Sequence, residues 1–447
     1  MALEIIRLVS EVPASVEDVW DWHVRPGALE RLLPPWEPIE VVERDEGVDE
    51  GRRTTVRLGL GPTALTWVSE HLAPEPGKSF SDVQVEGPFA SWQHRHLFSA
   101  ITRSTCEIED RIDYELPFEP MGAFVAGRYL RERIERGIAY RHRVVSRDLS
   151  LHARTGLAPG RRIGITGSSG LVGAALTHVL STGGHVPIAL ARPTSGEIHP
   201  GALEGLDAVV HLAGEPIAAG QWTRERRRRI RDSRVDGTRI LSDLLAGLES
   251  PPPVLICASA IGFYGNRADE VLDEQATAGK GFLPSVVEEW EHAADSARNA
   301  GIRVVHSRFG VVIWPSGGAL KKMLPTMRAG VGGRLGTGRQ YWSWVSLDDV
   351  IGSTLHAISD DRLAGPVNVT APRPATNREF TAVLADVLDR PAIVPVPPFA
   401  LRAAMGAMAD ELLLASARVI PGKLSDTGYE FCEPDLESAL RHMLGRY

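Results

Sequence analysis

Seven consecutive residues, Gly167, Ser168, Ser169, Gly170, Leu171, Val172 and Gly173, carry the sharpest chemical signal in this chain. Their spacing is G-x-x-G-x-x-G, directly after the apolar run Ile163–Thr166 and at the head of the stretch LVGAALTHVLST. Gly167 would permit a tight turn, Gly170 would let backbone approach a pyrophosphate, and Gly173 would let helix and strand pack closely. A helix starting there presents free N–H groups and a partial positive charge to phosphate. A strand before, a helix after and a second strand at the expected distance favour a dinucleotide loop over a purely structural glycine turn. That second strand, HVPIALA, ends at Arg192, where an Asp or Glu would bind the ribose hydroxyls of NAD. A cation is the residue expected to accommodate a 2′-phosphate, so Arg192 favours NADP, with NAD the lesser alternative. Leu212, Ala213, Gly214 and Glu215 follow another strand and would let a cofactor lie against backbone, whereas His211 reads as a packing histidine.

The elements needed to position this loop emerge from the periodicity. Residues 1–147 start with a strand, a helical segment SVEDVWDWHV and a Pro-rich break at Pro34 and Pro35. β-like stretches follow at Ile39–Arg44, Arg53–Leu60, Ala64–Leu72, Ser79–Val85, Ser91–Phe98 and Ser104–Leu116. A longer helix is expected from about Met121 to Val145, with Tyr129, Leu130, Ile134, Ile138 and Tyr140 on its apolar face. A curled antiparallel sheet gripping that helix would leave a cavity between them. Residues 148–161 read as a linker. From 162 to 376 strands such as RIGIT, LDAVVHLAG, PVLICASA and RVVHSRFGVVI alternate with helices, which predicts a doubly wound parallel sheet of the Rossmann type. Residues 377–447 read as a helical substrate or cap subdomain.

Composition bounds the function classes. The 447 residues are 24% charged and 43% hydrophobic with a net charge of −8, which argues against a nucleic-acid binder. The basic run RERRRRIR at 224–231 then reads as a solvated helix face. Cys106, Cys257 and Cys432 form no CxxC pair, so neither a disulfide framework nor a cysteine zinc site is expected. His292, His306 and His356 lack metal-ligand spacing, and no metal is expected. Without a leader-like segment or an apolar run of about 20 residues, the expected location is the cytoplasm, with no membrane span.

Several further motifs join the glycine loop: HLAGEPI at 211–217, SRVDGTRIL at 233–241, CASAIGFYG at 257–265, EEWEHAA at 288–294 and SRFGVVI at 307–313. GGRLGTGRQYWSWVSLDDV at 332–350 and NVTAPRPATNREF at 368–380 complete the set. Over roughly 162–447 the chain resembles the atypical, epimerase-like branch of the extended short-chain dehydrogenase/reductases, sometimes labelled sugar-nucleotide epimerases. The first 147 residues more loosely resemble helix-grip ligand-binding domains related to START and polyketide cyclases. The superfamily resemblance implies a serine acting with a Tyr-x-x-x-Lys pair. Ser259 matches the serine, but the segment expected to hold the pair reads GFLPSVVEEWE from Gly281 to Glu291 and has neither residue at that spacing. Tyr264 is the candidate substitute, although such a tyrosine is often present without catalytic use. Glu288, Glu289 and Glu291 read as solvated or structural helix positions. The resemblance also places Ser259 and Val311 near the nicotinamide and Arg308 near the substrate, with buried pairing an equal alternative for Arg308. Gln340 and Trp344 are candidate cleft residues, with core packing the alternative for the tryptophan, while Asp348 and Asp349 read as a helix N-terminus.

The expected function is NADP-dependent oxidoreduction of a small molecule without the usual Tyr/Lys dyad, with an apolar ligand in the N-terminal domain. Two alternatives stand beside it: a non-catalytic NADP-binding module coupled to that domain, and a sugar-nucleotide epimerase. Substrate identity and oligomeric state are not legible in the sequence.

Overall fold

A computed structural model describes residues 3–116, 123–218 and 220–446. The chain divides into two units, one comprising Met1–Pro159, His178–Gly184 and His442–Tyr447, the other Gly160–Thr177 and His185–Arg441.

In the first unit, β1 (Glu4–Val12), α1 (Val16–Val24) and α2 (Ala28–Leu32) precede six strands: β2 (Ile39–Arg44), β3 (Arg53–Leu58), β4 (Leu65–His71), β5 (Ser79–Glu86), β6 (Ser91–Ala100) and β7 (Cys106–Glu115). All seven strands form one antiparallel sheet in the order β1-β7-β6-β5-β4-β3-β2. Strand β7 alternates buried and half-buried positions along its whole length, the period-2 signature of a sheet with one face turned to a core. Helix α1 starts where the Ser15 side chain accepts a hydrogen bond from the Asp18 N–H, leaving Val19 and Trp22 to pack among Phe98, Ile108, Tyr140 and Val144.

The long helix α3 runs Ala123–Thr155, about 50 Å at 1.5 Å per residue. Its expected start at Met121 lies outside the described residues. Its end corrects the sequence expectation: residues 148–155, read as part of a linker, are helical. The segment looks polar because Asp148 is charged, but that carboxylate is buried against Arg31 at 2.7 Å, and Leu149 and Leu151 are buried too. Tertiary contacts therefore sustain a helix that periodicity alone did not support.

The second unit is built on six parallel strands: β8 (Arg162–Thr166), β9 (Val186–Leu190), β10 (Ala208–His211), β11 (Val254–Ala260), β13 (Arg303–Phe309) and β17 (Gly365–Val369). Their order is β17-β13-β11-β10-β8-β9. The order reverses at β8, whose neighbours are β9 on one side and β10 on the other, the crevice in which open α/β sheets bind ligands. The main crossover helices include α4 (Leu171–Thr182), α5 (Arg224–Ala246), α6 (Phe282–His292), α7 (Asp295–Asn299), α8 (Gly318–Arg328) and α9 (Leu347–Ser359).

RVVHSRFGVVI is not one strand. It breaks at Gly310 into β13 and β14 (Val311–Trp314), and β14 pairs with β16 (Trp344–Ser346) in a separate two-stranded sheet. A Cβ on Gly310 would lie 2.4 Å from the Ser343 carbonyl oxygen, so a side chain there would block the close approach that redirects the chain. Two short pairs tie in the C-terminal part: β12 (Val271–Leu272) with β19 (Arg418–Val419), and β15 (Tyr341–Trp342) with β18 (Ala375–Thr376). The helices α10 (Asn377–Leu388), α11 (Pro398–Met405), α12 (Gly422–Asp426) and α13 (Leu436–Leu444) account for its helical sequence pattern. None of the helices among the described residues is long and apolar enough to cross a membrane.

Candidate functional site

The glycine loop leaves the carboxyl end of β8 with no room for a side chain at Gly167 or Gly173. Gly167 has φ +71°, and a Cβ on it would lie 2.9 Å from the Ala213 amide nitrogen. A Cβ on Gly173 would stand 2.2 Å from the Gly167 carbonyl oxygen, and one on Gly170 3.2 Å from the same atom. Thr166 ties this turn to the end of β10: its hydroxyl is 2.7 Å from His211 Nδ1 and accepts from the Leu212 and Ala213 N–H groups at 3.2 and 3.3 Å. Burial pushes the His211 imidazole down to about 4, so it is a neutral packing group. The backbone is thus bare where the α4 N-terminus begins, an arrangement that fits a dinucleotide pyrophosphate.

Arg192 lies two residues past the end of β9 and is exposed. Its carbonyl accepts from Ser195 N and Oγ at 2.9 and 2.7 Å, which holds the short turn Pro193–Ser195. Glu215 is engaged elsewhere, its carboxylate 2.8 Å from Arg226 Nη1 and its carbonyl accepting from Arg234 Nη1 at 3.1 Å. Arg234 lies 5.3 Å from the Trp290 ring centroid, and burial pulls its pKa down to about 10. The basic run that starts α5 is paired within the chain: Arg229 with Glu225, Arg231 with Glu289, and Arg227 over the Trp222 and Phe282 rings.

Ser259, Tyr264 and Arg308 come together, joined by a residue the sequence reading set aside. The Ser259 hydroxyl donates to Glu291 Oε1 at 2.7 Å, and Arg308 grips the same carboxylate with Nε and Nη2 at 2.8 and 2.7 Å. Arg308 Nη1 donates to the Tyr264 hydroxyl at 3.0 Å, and that hydroxyl faces Asn368 Oδ1 at 2.7 Å and the Asp273 carbonyl at 2.9 Å. Phe263 covers the guanidinium at 3.6 Å. Register puts Ser259 opposite Arg308 on β11 and β13, while Glu291 reaches them from α6. Burial alone would raise the Glu291 carboxyl, but the hydrogen bonds and charge of Arg308 outweigh it and hold the group below its usual value. Burial also raises Tyr264, against the opposing pull of Arg308. Tyr264 is fully enclosed, so it steadies Arg308 and Asn368. No local motif announces Glu291 as a partner, because 32 residues separate it from Ser259.

The remaining candidates are dispersed. Val311 is half-buried, and its N–H donates to the Ser343 carbonyl at 2.8 Å. Gln340 uses its amide to bridge the Leu335 and Leu413 carbonyls at 3.0 and 3.1 Å, and it borders a cavity of about 390 Å³ with Arg339, Arg402 and Ser416. Trp344 is fully buried with its Nε1–H directed to the Arg373 carbonyl at 3.2 Å, which makes it a core side chain. Asp348 and Asp349 lie in the first turn of α9, as expected, with Ser346 as the cap.

Comparison with known proteins matches the two halves to different families. The NAD dependent epimerase/dehydratase family matches residues 163–369, the polyketide cyclase / dehydrase and lipid transport family residues 12–138, and a domain of unknown function (DUF1731) residues 396–443. An epimerase family protein of Mycobacterium bovis is 42% identical over 296 residues, 64% of this chain and 98% of the relative. A crystal structure described as a nucleoside-diphosphate sugar epimerase from Corynebacterium glutamicum is 33% identical with a TM-score of 0.81, covering 98% of this chain and 90% of that one. The human epimerase family protein SDR39U1, solved with NADPH, is 29% identical with a TM-score of 0.60 over 64% of this chain and all of that one (100%). With the bare glycine loop at the switch point and these likenesses together, the chain belongs to the epimerase family of atypical short-chain dehydrogenase/reductases, an NAD(P)-dependent epimerase-like protein with a polyketide-cyclase-like N-terminal domain.

Proposed function

We propose that this chain binds NADP(H) on the Gly167–Gly173 loop and acts as an oxidoreductase on a small carbonyl or hydroxyl compound. The observation that carries the reading is Arg192: an exposed guanidinium, without a side-chain partner among the described residues, two residues past the end of the strand next to the loop. Gly167, Gly170 and Gly173 would cradle the pyrophosphate; Leu212, Ala213 and Gly214 would offer backbone beside it. Bound NADP(H) would supply or accept the hydride. Ser259 can turn its hydroxyl from Glu291 to donate a hydrogen bond to a substrate oxygen, and the proton that carbonyl reduction also requires would come from water. Arg308 keeps Glu291 ionised as the acceptor that orients the hydroxyl between turnovers. Tyr264, out of reach of solvent, serves as a positioning residue for Arg308. The cavity in the N-terminal unit, about 230 Å³ and walled in part by Leu29, Leu32, Val56 and Phe80, suits an apolar ligand.

NADPH oxidation across a panel of aldehydes, ketones and nucleotide sugars tests the reading. Turnover that falls in Ser259→Ala is the expected result. One observation favours a second reading: Ser259 is 3% exposed and its proton is already committed to Glu291. Tight NADPH binding with no turnover on any compound would establish the non-catalytic module instead.

A further inference from the structure

The inner face of the N-terminal sheet gathers histidines and carboxylates that the dinucleotide chemistry does not use. Asp82 on β5 stands opposite His94 on β6, and His96 stands opposite Asp110 on β7, so strand register alone puts all four on one face. The ligand-capable atoms of Asp82, His94 and His96 lie within 4.8 Å of one another. All three line the cavity, together with His23, His71 and Arg141.

Asp110 organises this group from behind. Its Oδ1 is 2.6 Å from His96 Nδ1 and 3.3 Å from His94 Nε2, and its Oδ2 is 3.2 Å from His142 Nε2. His94 Nδ1 faces Asp82 Oδ2 at 3.8 Å, and with Nδ1 turned to Asp110, His96 keeps Nε2 as its remaining donor atom. A carboxylate behind a ligating imidazole fixes its tautomer and orientation. Ligand atoms about 2.0–2.1 Å from a tetrahedral zinc stand roughly 3.4 Å apart, close to the 3.8 Å between His94 and Asp82. Asp82 and Asp110 together offset a divalent charge.

We propose that His94, His96 and Asp82 form a divalent transition-metal site at the wall of the N-terminal cavity, with Asp110 orienting the His96 imidazole. Two imidazoles and one carboxylate leave coordination positions open toward the cavity, so an oxygen-bearing guest could complete the shell.

The full chain, stripped with chelator, is titrated with Co²⁺ and then competed with Zn²⁺. One equivalent of Co²⁺ with visible absorption bands, displaced by Zn²⁺, is expected. Asp110→Asn should weaken binding about 10–100-fold, and His94→Ala or Asp82→Asn by at least as much. NADPH affinity, read in the same samples, should not change. Should the variants fail to fold, X-ray absorption on the zinc-loaded wild type decides, and fewer than two imidazole ligands overturns the site. Wild-type Co²⁺ binding no tighter than that of a folded His94→Ala/His96→Ala variant also overturns it.

Discussion

Ser259 and Glu291 meet through a 2.7 Å hydrogen bond, and Arg308 holds the other side of the same carboxylate. The serine at the carboxyl end of β11 is therefore tied to a buried ion pair rather than to a Tyr/Lys dyad. Its hydroxyl is oriented by Glu291, whose charge is in turn maintained by a guanidinium that is 3% exposed. Any chemistry at Ser259 depends on the stability of this pair.

Removing one partner exposes that dependence. Glu291→Ala leaves Arg308 buried without its counter-charge, a loss that typically costs about 3–5 kcal/mol. Urea unfolding should show the midpoint falling accordingly, and NADPH oxidation should fall with it. An unchanged midpoint would mean that the pair contributes little to folding.

Arg192→Ala tests the cofactor preference. A hydrogen bond to a charged phosphate is worth about 1.5–3 kcal/mol, so NADPH affinity should drop roughly ten- to a hundredfold while NADH affinity stays the same. Calorimetry on both nucleotides reads this directly, and equal losses for the two would remove the 2′-phosphate assignment.

Gly173→Ala should disable the loop. The added methyl would lie 2.2 Å from the Gly167 carbonyl oxygen, so the turn must shift. Overpacking of this kind costs about 1–3 kcal/mol, and nucleotide binding should be lost while circular dichroism still reports a folded chain. Retained NADPH affinity would place the cofactor elsewhere.

Acid should destabilise the second unit before its carboxylates titrate. Burial holds His211 and His306 down to about 4 in the folded chain, against 6.5 when exposed. Between those values the unfolded chain binds protons that the folded one refuses, so stability is full above pH 6.5 and is lost as pH falls toward 4. Each histidine contributes up to about 1.4 kcal/mol per pH unit in that window. Urea midpoints at pH 7, 5.5 and 4.5 should fall in that order, and His306→Gln should flatten the slope.

Tyr264→Phe separates positioning from catalysis. The change removes the acceptor for Arg308 Nη1 and the donor facing Asn368, which should cost about 1–3 kcal/mol of stability. Turnover at a temperature where the variant is folded should persist, with a shifted pH profile; complete loss would make the tyrosine hydroxyl a catalytic group.

Much of this architecture was written in local pattern. The glycine spacing after Ile163–Thr166, the alternation of β7 and the sequence of strand and helix in the second unit all follow from neighbours within a few residues. Period and backbone freedom are local properties, which is why the parallel sheet, the helix-grip order and the glycine turn could be read directly. Tertiary structure alone decided what depends on residues far apart. It carried α3 on to Thr155 through Arg31 and Asp148, split the strand at Gly310 against Ser343, and joined Ser259 to Glu291 and Arg308. It also set Asp82, His94, His96 and Asp110 on one sheet face. Pairing of buried charge and the register of distant strands are properties of the folded chain, because burial both lowers the dielectric and selects which polar groups must find one another.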